Sequence, residues 1–237
     1  MSEQGLRSAR VGVRPAGVGP DAPVHHRVVV PVWPRPHPLP ARAAKRGLDL
    51  AIASAALVVA LPVLAGLGLA IRLLDGGPVL FHQRRIGRDG RPFRMLKLRT
   101  MAVDAAERLP ELGPHNEVRG AAFKLRRDPR LTRTGAFLRR TSLDELPQLW
   151  NVLRGEMSLV GPRPPLPEEV AAYEPWHHRR LSVPPGMTGL WQVTARNHPD
   201  FDAWVRLDLA YIDGWSLRGD LELLLRTVPA VLAGDGR

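Results

Sequence analysis

Between Leu50 and Ile71 the chain carries no charged side chain, an uninterrupted stretch of about 22 residues. As a helix that stretch reaches about 33 Å, enough to cross the hydrocarbon core of a bilayer. Pro62 sits near its middle, where it removes one backbone donor and is expected to kink or break the helix. Both flanks are basic, with Arg42, Lys45 and Arg46 before the run and Arg72 after it, so the positive-inside rule gives no preferred orientation. Two arrangements stay open on the residues alone. One is a re-entrant helix that dips in at Pro62 and returns to the same face; the other is a bitopic helix that tolerates its proline. A buried helix of a soluble core fits this length less well.

Residues 1–40 are rich in Pro, Gly, Arg and Val and show no sustained period of 2 or 3.6. Each proline of Pro34-Arg35-Pro36-His37-Pro38 biases its predecessor away from helix, so the segment reads as a disordered basic tail, extended at best. It does not read as a signal peptide, since the apolar run begins too late and no small-residue cleavage site follows. The formal net charge of +11 points to an anionic partner. An acidic membrane surface and a phosphorylated substrate both fit that sign. Nucleic acid is disfavoured, because aromatics make up only 5% and no basic stretch is interleaved with them. With no cysteine, disulfides and thiolate metal sites are excluded.

Beyond the apolar run, Val79–His82 and Phe93–Leu98 flank Arg88-Asp89-Gly90, a hairpin signal. The hairpin carries Arg84, Arg85, Arg88, Arg91, Arg94, Lys97 and Arg99, which form either a solvated face or a row of phosphate-binding forks. Helices are expected over residues 102–112, 146–153 (closed by Gly155), 167–181, 201–212 and 216–232. Gly161-Pro162-Arg163-Pro164-Pro165 is a rigid loop, residues 184–189 are a turn, and Leu190-Trp191-Gln192-Val193 reads as a short strand.

Chemistry concentrates in Thr141-Ser142-Leu143-Asp144-Glu145-Leu146-Pro147-Gln148, directly after Arg139 and Arg140. One account is structural: Ser142-x-x-Glu145 matches a capping box, with Asp144 offsetting the helix dipole. The other is catalytic. A helix N-terminus with adjacent arginines keeps carboxylates ionised and attracts phosphate, and an ionised aspartate there can attack phosphorus. Phosphoryl transfer also needs charge neutralisation, for which Mg²⁺ ligands and arginines are both present.

Several motifs in register carry a resemblance. They are Gly77-Pro78-Val79 with Phe81 and Gln83, Lys97-Leu98-Arg99-Thr100-Met101, Ser142-Leu143-Asp144-Glu145-Leu146-Pro147-Gln148-Leu149-Trp150-Asn151-Val152, and Met157-Ser158-Leu159-Val160-Gly161-Pro162-Arg163-Pro164. Pro185-Gly186-Met187-Thr188-Gly189-Leu190-Trp191-Gln192-Val193 and Leu207-Asp208 with Tyr211 and Trp215 complete the set. Over roughly residues 42–230 the chain strongly resembles the bacterial sugar transferases, the monotopic polyprenyl-phosphate phosphoglycosyl transferases. The resemblance implies transfer of a sugar-1-phosphate from a UDP-sugar to polyprenyl (undecaprenyl) phosphate, with release of UMP through a covalent phosphosugar intermediate. It implies Asp144 as nucleophile, Glu145 beside it as metal ligand or general base, and Mg²⁺ held by Asp144 and Glu145. Lys97, Arg99, Arg139 and Arg163 look like phosphate- or nucleotide-contacting positions, with Asp208 a further acidic residue of that set. The resemblance also favours a re-entrant helix broken at Pro62.

The expected architecture is therefore helix-rich α+β: a tail over 1–40, a membrane-inserted re-entrant segment over 41–76, and a catalytic domain with a β-hairpin over 77–237. The expected location is the inner membrane, in contact with anionic lipids, with the catalytic domain on the cytoplasmic face. Leu61, Leu98 and Pro184 depart from the family pattern at the serine before the membrane proline, an aromatic, and an arginine respectively. Two weaker patterns have plainer readings. Asp200-Phe201-Asp202 fits the Asp-x-Asp pattern by which a glycosyltransferase moving only the sugar holds a metal, but it precedes a helix, where acids cap well. His177-His178-Arg179-Arg180 suggests metal binding but reads as a solvated basic face. A non-catalytic basic membrane adaptor is the further alternative if the Asp144-Glu145 acids only cap a helix.

Overall fold

The computed structural model describes residues 36–112, 125, 128–195 and 200–232, so most of the expected tail lies outside the described residues. Pro38, which is described, is extended at φ −64° and ψ 157°, and helix α1 (Leu39–Ala70) starts directly after it. The charge-free run becomes most of this 32-residue helix, which a π-helical turn, Ile71–Asp75, continues. Pro62 does not end the helix, contrary to the break expected there: helical backbone runs through it. A proline removes only its own donor, and the hydrogen bonds on either side continue the helix.

The apolar helix has two unlike faces. Asp49, Ala53, Ala60, Gly68 and Ile71 are buried against the rest of the chain, while Val58, Val59, Leu61, Val63 and Leu69 stay exposed. Only 11% of its most apolar window is buried, which is not the pattern of a helix inside a soluble core.

Strands β1 (Leu80–Ile86) and β2 (Pro92–Leu98) form the expected antiparallel hairpin, with Arg84 opposite Arg94 and Phe81 opposite Lys97. Its turn requires left-handed backbone at Asp89 and Gly90, with φ 57° and 72°, and the Arg91 amide closes it by donating to the Arg88 carbonyl. The expected helix over 102–112 is mostly turns, with helix confined to α2 (Leu109–Leu112).

Helix α3 (Arg133–Arg140) is capped by Thr132, whose hydroxyl oxygen accepts from the Gly135 amide at 2.9 Å. Gly135 lies so close to the end of β2 that a Cβ there would sit 1.8 Å from the Thr100 carbonyl oxygen, so only glycine fits. After α3, helix α4 (Gln148–Leu153) leads to Gly155 and strand β3 (Ser158–Val160).

The expected helix over 167–181 is two pieces, α5 (Pro167–Ala171) and a 3₁₀ turn His177–Ser182, with Pro175 between them. Strand and helix are exchanged in the next segment. Gly186–Thr188, read as a turn, is strand β4, parallel to β3; Leu190–Thr194, read as a strand, is helix α6. The apolar run Leu190–Val193 is too short for its period to decide, and Gly186 pairs where a long-range partner, β3, is available. Helices α7 (Phe201–Asp213) and α8 (Leu217–Leu232) fall where expected.

Three polar clamps fix α1 to this body. Lys45 Nζ lies 2.6 Å from Asp220 Oδ2 and donates to the Val160 carbonyl at 3.1 Å. Arg46 donates to the Val152 and Leu153 carbonyls at 2.6 and 2.8 Å. Asp49 accepts from the Leu159 amide at 3.0 Å. Asp220 itself is buried and also accepts from the Tyr211 hydroxyl at 2.8 Å and the Trp215 indole at 3.0 Å. At the other end of α1, Ile71 packs with Leu98 and Leu138, joined by Leu64, Leu67, Val79 and Leu143.

Leu138 is fully buried in that second contact. Leu138→Ala is expected to lower unfolding free energy by about 2–5 kcal/mol, measured by chemical denaturation in detergent, through lost transfer energy and a cavity beneath Leu143. A loss within about 0.5 kcal/mol, the range of an ordinary surface substitution, contradicts the packing described.

Candidate active site

The loop after α3 determines where the two carboxylates go. Ser142 adopts left-handed backbone at φ 56°, an uncommon conformation for a non-glycine residue, and turns the chain sharply. A 3₁₀ turn, Leu143–Glu145, follows and puts Leu143 into the apolar contact with Ile71, Leu98 and Leu138. Asp144 is left 5% exposed. The capping box read from Ser142 and Glu145 does not form: Ser142 makes no side-chain cap, and Glu145 turns to the hairpin instead.

Lys97, on β2, meets both acids. Its Nζ lies 2.8 Å from Glu145 Oε1 and 3.9 Å from Asp144 Oδ2. Arg139, on the last turn of α3, donates from Nε to Thr100 Oγ1 at 3.1 Å and lies within electrostatic reach of Asp144 and Glu145. Burial pushes the Asp144 carboxyl up to about 6, with Glu145 adding to the rise and Lys97 and Arg139 opposing it. Burial correspondingly lowers the Arg139 pKa, against the pull of Asp144. Arg99 is buried at the end of the same strand, its Nη2 donating to the Gly76 carbonyl. Its Nε and Nη1 have no hydrogen-bond partner among the described residues, an unsatisfied cation suited to an anion.

Arg163 sits one layer away, in the loop after β3, with Nη1 3.1 Å from Glu169 Oε1. Although burial raises Glu169, Arg163 and Arg85 hold its carboxyl below the ordinary value. Arg85 links this layer to the acids. It donates from Nη1 to the Pro164 carbonyl at 2.8 Å and lies within electrostatic reach of Arg163 and Glu145. Burial lowers its pKa, yet a guanidinium stays protonated at neutral pH.

Asp208 has no exposed surface and is not among the groups facing Asp144; it accepts from Arg180 Nε at 2.8 Å. Burial pushes its carboxyl up to about 6 against the pull of Arg180. Arg180 in turn reaches the Arg163 carbonyl at 3.5 Å and the Tyr173 hydroxyl at 2.7 Å, so Asp208 props the Arg163 loop from behind.

Of the residues picked from sequence, Lys97, Arg139, Asp144 and Glu145 come together, Arg99 and Arg163 flank them, and Asp208 stands behind. Arg85 and Arg180 were not singled out. Arg85 was one basic residue among seven in the hairpin, and Arg180 was read as part of a solvated face, whereas it and His177 are buried. Both are buried because the aromatic residues Tyr173 and Phe201 close around them.

Among the described residues no group of three or more His, Cys, Asp or Glu side chains could hold a metal. Asp144 and Glu145 supply two adjacent carboxylates as hard oxygen donors. That set fits Mg²⁺, which commonly takes one or two carboxylates and completes its shell with water and substrate phosphate.

A small α+β domain with a long, mostly exposed apolar helix and a buried Asp144 beside the partly exposed Glu145 among cations defines a membrane-associated class with an acidic site. The chain belongs to the bacterial sugar transferase family, whose model matches residues 40–234. It is 49% identical over 194 residues to "Galactosyl transferase CpsE" of Streptococcus agalactiae, covering 81% of this chain and 43% of that protein. It is 42% identical over 196 residues to "Undecaprenyl-phosphate galactose phosphotransferase" of Salmonella typhimurium, covering 81% of this chain and 41% of that protein. The "Exopolysaccharide production protein ExoY" of Rhizobium meliloti is 43% identical over 197 residues, 81% of this chain and 87% of that protein. The chain thus spans about two fifths of the length of the first two relatives and most of the third.

A carboxyl whose folded pKa lies above its unfolded 3.8 costs stability wherever it is ionised in the fold. For Asp144 the cost is absent below about pH 4 and complete above about pH 6, so Asp144→Asn is expected to stabilise the metal-free protein at pH 8 by about 1–3 kcal/mol. The gain fades as pH falls to about 4; unfolding curves at both pH values check it, and equal effects at both contradict the assignment.

Proposed function

We propose that this protein transfers a sugar-1-phosphate from a UDP-sugar to polyprenyl (undecaprenyl) phosphate at the inner membrane, releasing UMP. The names of the relatives from Salmonella typhimurium and Rhizobium meliloti favour an undecaprenyl acceptor and a place in exopolysaccharide synthesis. The observation that carries the reading is the desolvated Asp144 carboxylate beside Lys97, Glu145 and Arg139. A carboxylate serving only to cap a helix gains nothing from burial among cations, whereas a nucleophile stripped of water and surrounded by phosphate-binding groups is set for attack.

In this mechanism an Asp144 oxygen attacks the phosphorus that bears the sugar. The Asp144 O–P bond forms as the bond to the UMP oxygen breaks, and UMP leaves with that electron pair. An oxygen of polyprenyl phosphate then attacks the same phosphorus, the acyl-phosphate bond breaks, and Asp144 returns as carboxylate. In this scheme Lys97 and Arg139, the cations beside Asp144, offset charge on the transferring phosphoryl group, and Arg99, with two donors unsatisfied among the described residues, holds the diphosphate. Arg163, fixed by Glu169, Arg180 and Asp208, orients the outer phosphate or nucleotide. Asp144 and Glu145 would hold Mg²⁺, which would supply charge neutralisation at this site.

Membranes containing the protein, given polyprenyl phosphate, Mg²⁺ and a panel of UDP-sugars, are expected to release UMP with one of those sugars. Asp144→Asn is expected to lower the rate by at least about 10³-fold while the protein still folds and fractionates with membranes. UDP as the nucleotide product, or full activity in that variant, overturns the covalent scheme. A sugar-only transferase using Asp200 and Asp202 on a metal finds no favour in the geometry: Asp200 accepts from the Asp202 amide at 3.0 Å as a helix cap, and Asp202 lies 3.1 Å from His177.

We further propose that α1 inserts from one side only, with residues 77–237 as a cytoplasmic catalytic domain. The support is that both ends of the apolar run pack on the same body, through Lys45, Arg46 and Asp49 at one end and Ile71 at the other. A single cysteine at residue 40 or residue 76 of this cysteine-free chain is expected to react only with reagents that reach the cytoplasm. Periplasmic labelling at either position rules out the arrangement.

A further inference from the structure

A cavity of about 270 Å³ lies between the start of α1, the segment after α4 and the end of α7, and it contains none of the residues grouped around Asp144. One wall is cationic. Arg42, Lys45 and Arg46 project from one face of α1, as positions three and four apart must, and Arg88 of the hairpin turn joins them. Asp49 is the one carboxylate among the described lining residues, and it accepts from the Leu159 amide. Lys45 is matched by Asp220 and Arg88 Nε lies 3.6 Å from Asp89 Oδ2, but among the described residues Arg46 bonds only to backbone carbonyls and Arg42 has no ion-pair partner.

Two donors in this cavity are left unsatisfied. Among the described residues Arg42 Nε is buried without a hydrogen-bond partner, and so is the hydroxyl of Ser182, a residue only 6% exposed. Buried polar atoms are rarely orphaned, and a guanidinium N–H and a hydroxyl both donate well to a phosphate oxygen. The apolar part of the lining is Met157, Val160, Val183, Ile212 and Trp215. With a water occupying roughly 30 Å³ of liquid volume, the space holds a phosphate and the first atoms of whatever carries it. The cavity also flanks Asp49, next to Leu50, where the charge-free run of α1 begins.

We propose that this cavity is a second phosphate site, separate from the Asp144 centre, that takes the phosphate of an amphiphilic ester. Arg42 and the Ser182 hydroxyl grip the phosphate oxygens, Arg46 and Arg88 contribute charge, and the apolar lining covers the attached carbon chain. An anionic lipid headgroup and a soluble phosphate compound share this chemistry, and the apolar lining favours the lipid.

The test titrates the purified full chain, in neutral detergent, with dihexanoyl-phosphatidylglycerol and separately with inorganic phosphate, following heat of binding and the thermal midpoint. Saturable binding of the phospholipid is expected, tighter than that of inorganic phosphate by about tenfold or more. Arg42→Gln is expected to weaken it about tenfold and Ser182→Ala several-fold, with ligand-free midpoints no lower than wild type, since among the described residues neither side chain has a bond to lose. Asp144→Asn is expected to bind as wild type, which separates this site from the catalytic one. Equal affinity for the two probes, still lost in Arg42→Gln, keeps the site but assigns it to a soluble phosphate. No saturable binding of either probe, or binding that survives Arg42→Gln unchanged, overturns the proposal.

Discussion

The buried Asp220 carboxylate joins three helices: Lys45 reaches it from α1, the Tyr211 hydroxyl from α7 and the Trp215 indole from just before α8. Removing one partner from such a group leaves a buried charge uncompensated, so the junction tolerates little adjustment. Because the junction is fixed, the stripe of α1 running from Asp49 through Ala53 and Ala60 must lie along α4 and β3. The opposite stripe, Val58 to Leu69, is thereby left exposed among the described residues. An exposed apolar surface of that length is suited to lipid, and the same docking that exposes it holds the body bearing Asp144 close to that surface.

The far end of α1 builds the site. Ile71 meets Leu98 at the end of β2 and Leu138 on α3, and Leu143 packs onto the same contact one residue before Asp144. Asp75 accepts hydrogen bonds from Thr132 and Thr134 at the start of α3, at 2.9 and 3.3 Å, so the helix bearing Arg139 is tied directly to the apolar one. An aspartate forced out of water in this way carries a free-energy cost, visible in its raised pKa, and only a surrounding fold that over-determines the turn can hold it there. The same desolvation makes the carboxylate responsive to added cations and to phosphate, which links the unfavourable electrostatics of the resting site to its chemistry.

Tyr211, Trp215 and Asp208 show how a motif can mark architecture as well as chemistry. The first two bind Asp220 and so seat α1, and the third holds Arg180 against the Arg163 loop. In each case the side chain acts on the site through another residue. Sequence spacing cannot separate such residues from those that face the substrate, since both kinds recur in the same motif.

The local signals were legible from the residues. The apolar run is a helix because no charge interrupts it, Asp89-Gly90 reverses the hairpin because both residues accept left-handed backbone, and Asp200 caps α7 because its carboxylate reaches the next turn's amide. The Asp144-Glu145 pair was legible as well, since two acids after two arginines form a chemical pattern within a few residues. Tertiary structure alone decided the rest. The fit of β4 beside β3 made a strand of Gly186–Thr188, and the aromatic residues around Arg180 turned an apparently solvated basic run into a buried one. It also chose between the capping box and the Lys97 contact for Glu145, because a partner 48 positions away in sequence competes on equal terms once the chain has folded. Local periodicity and turn chemistry act over a few residues and can be read there. Burial, pairing register and the partner of a charge depend on what the rest of the chain brings to the same place.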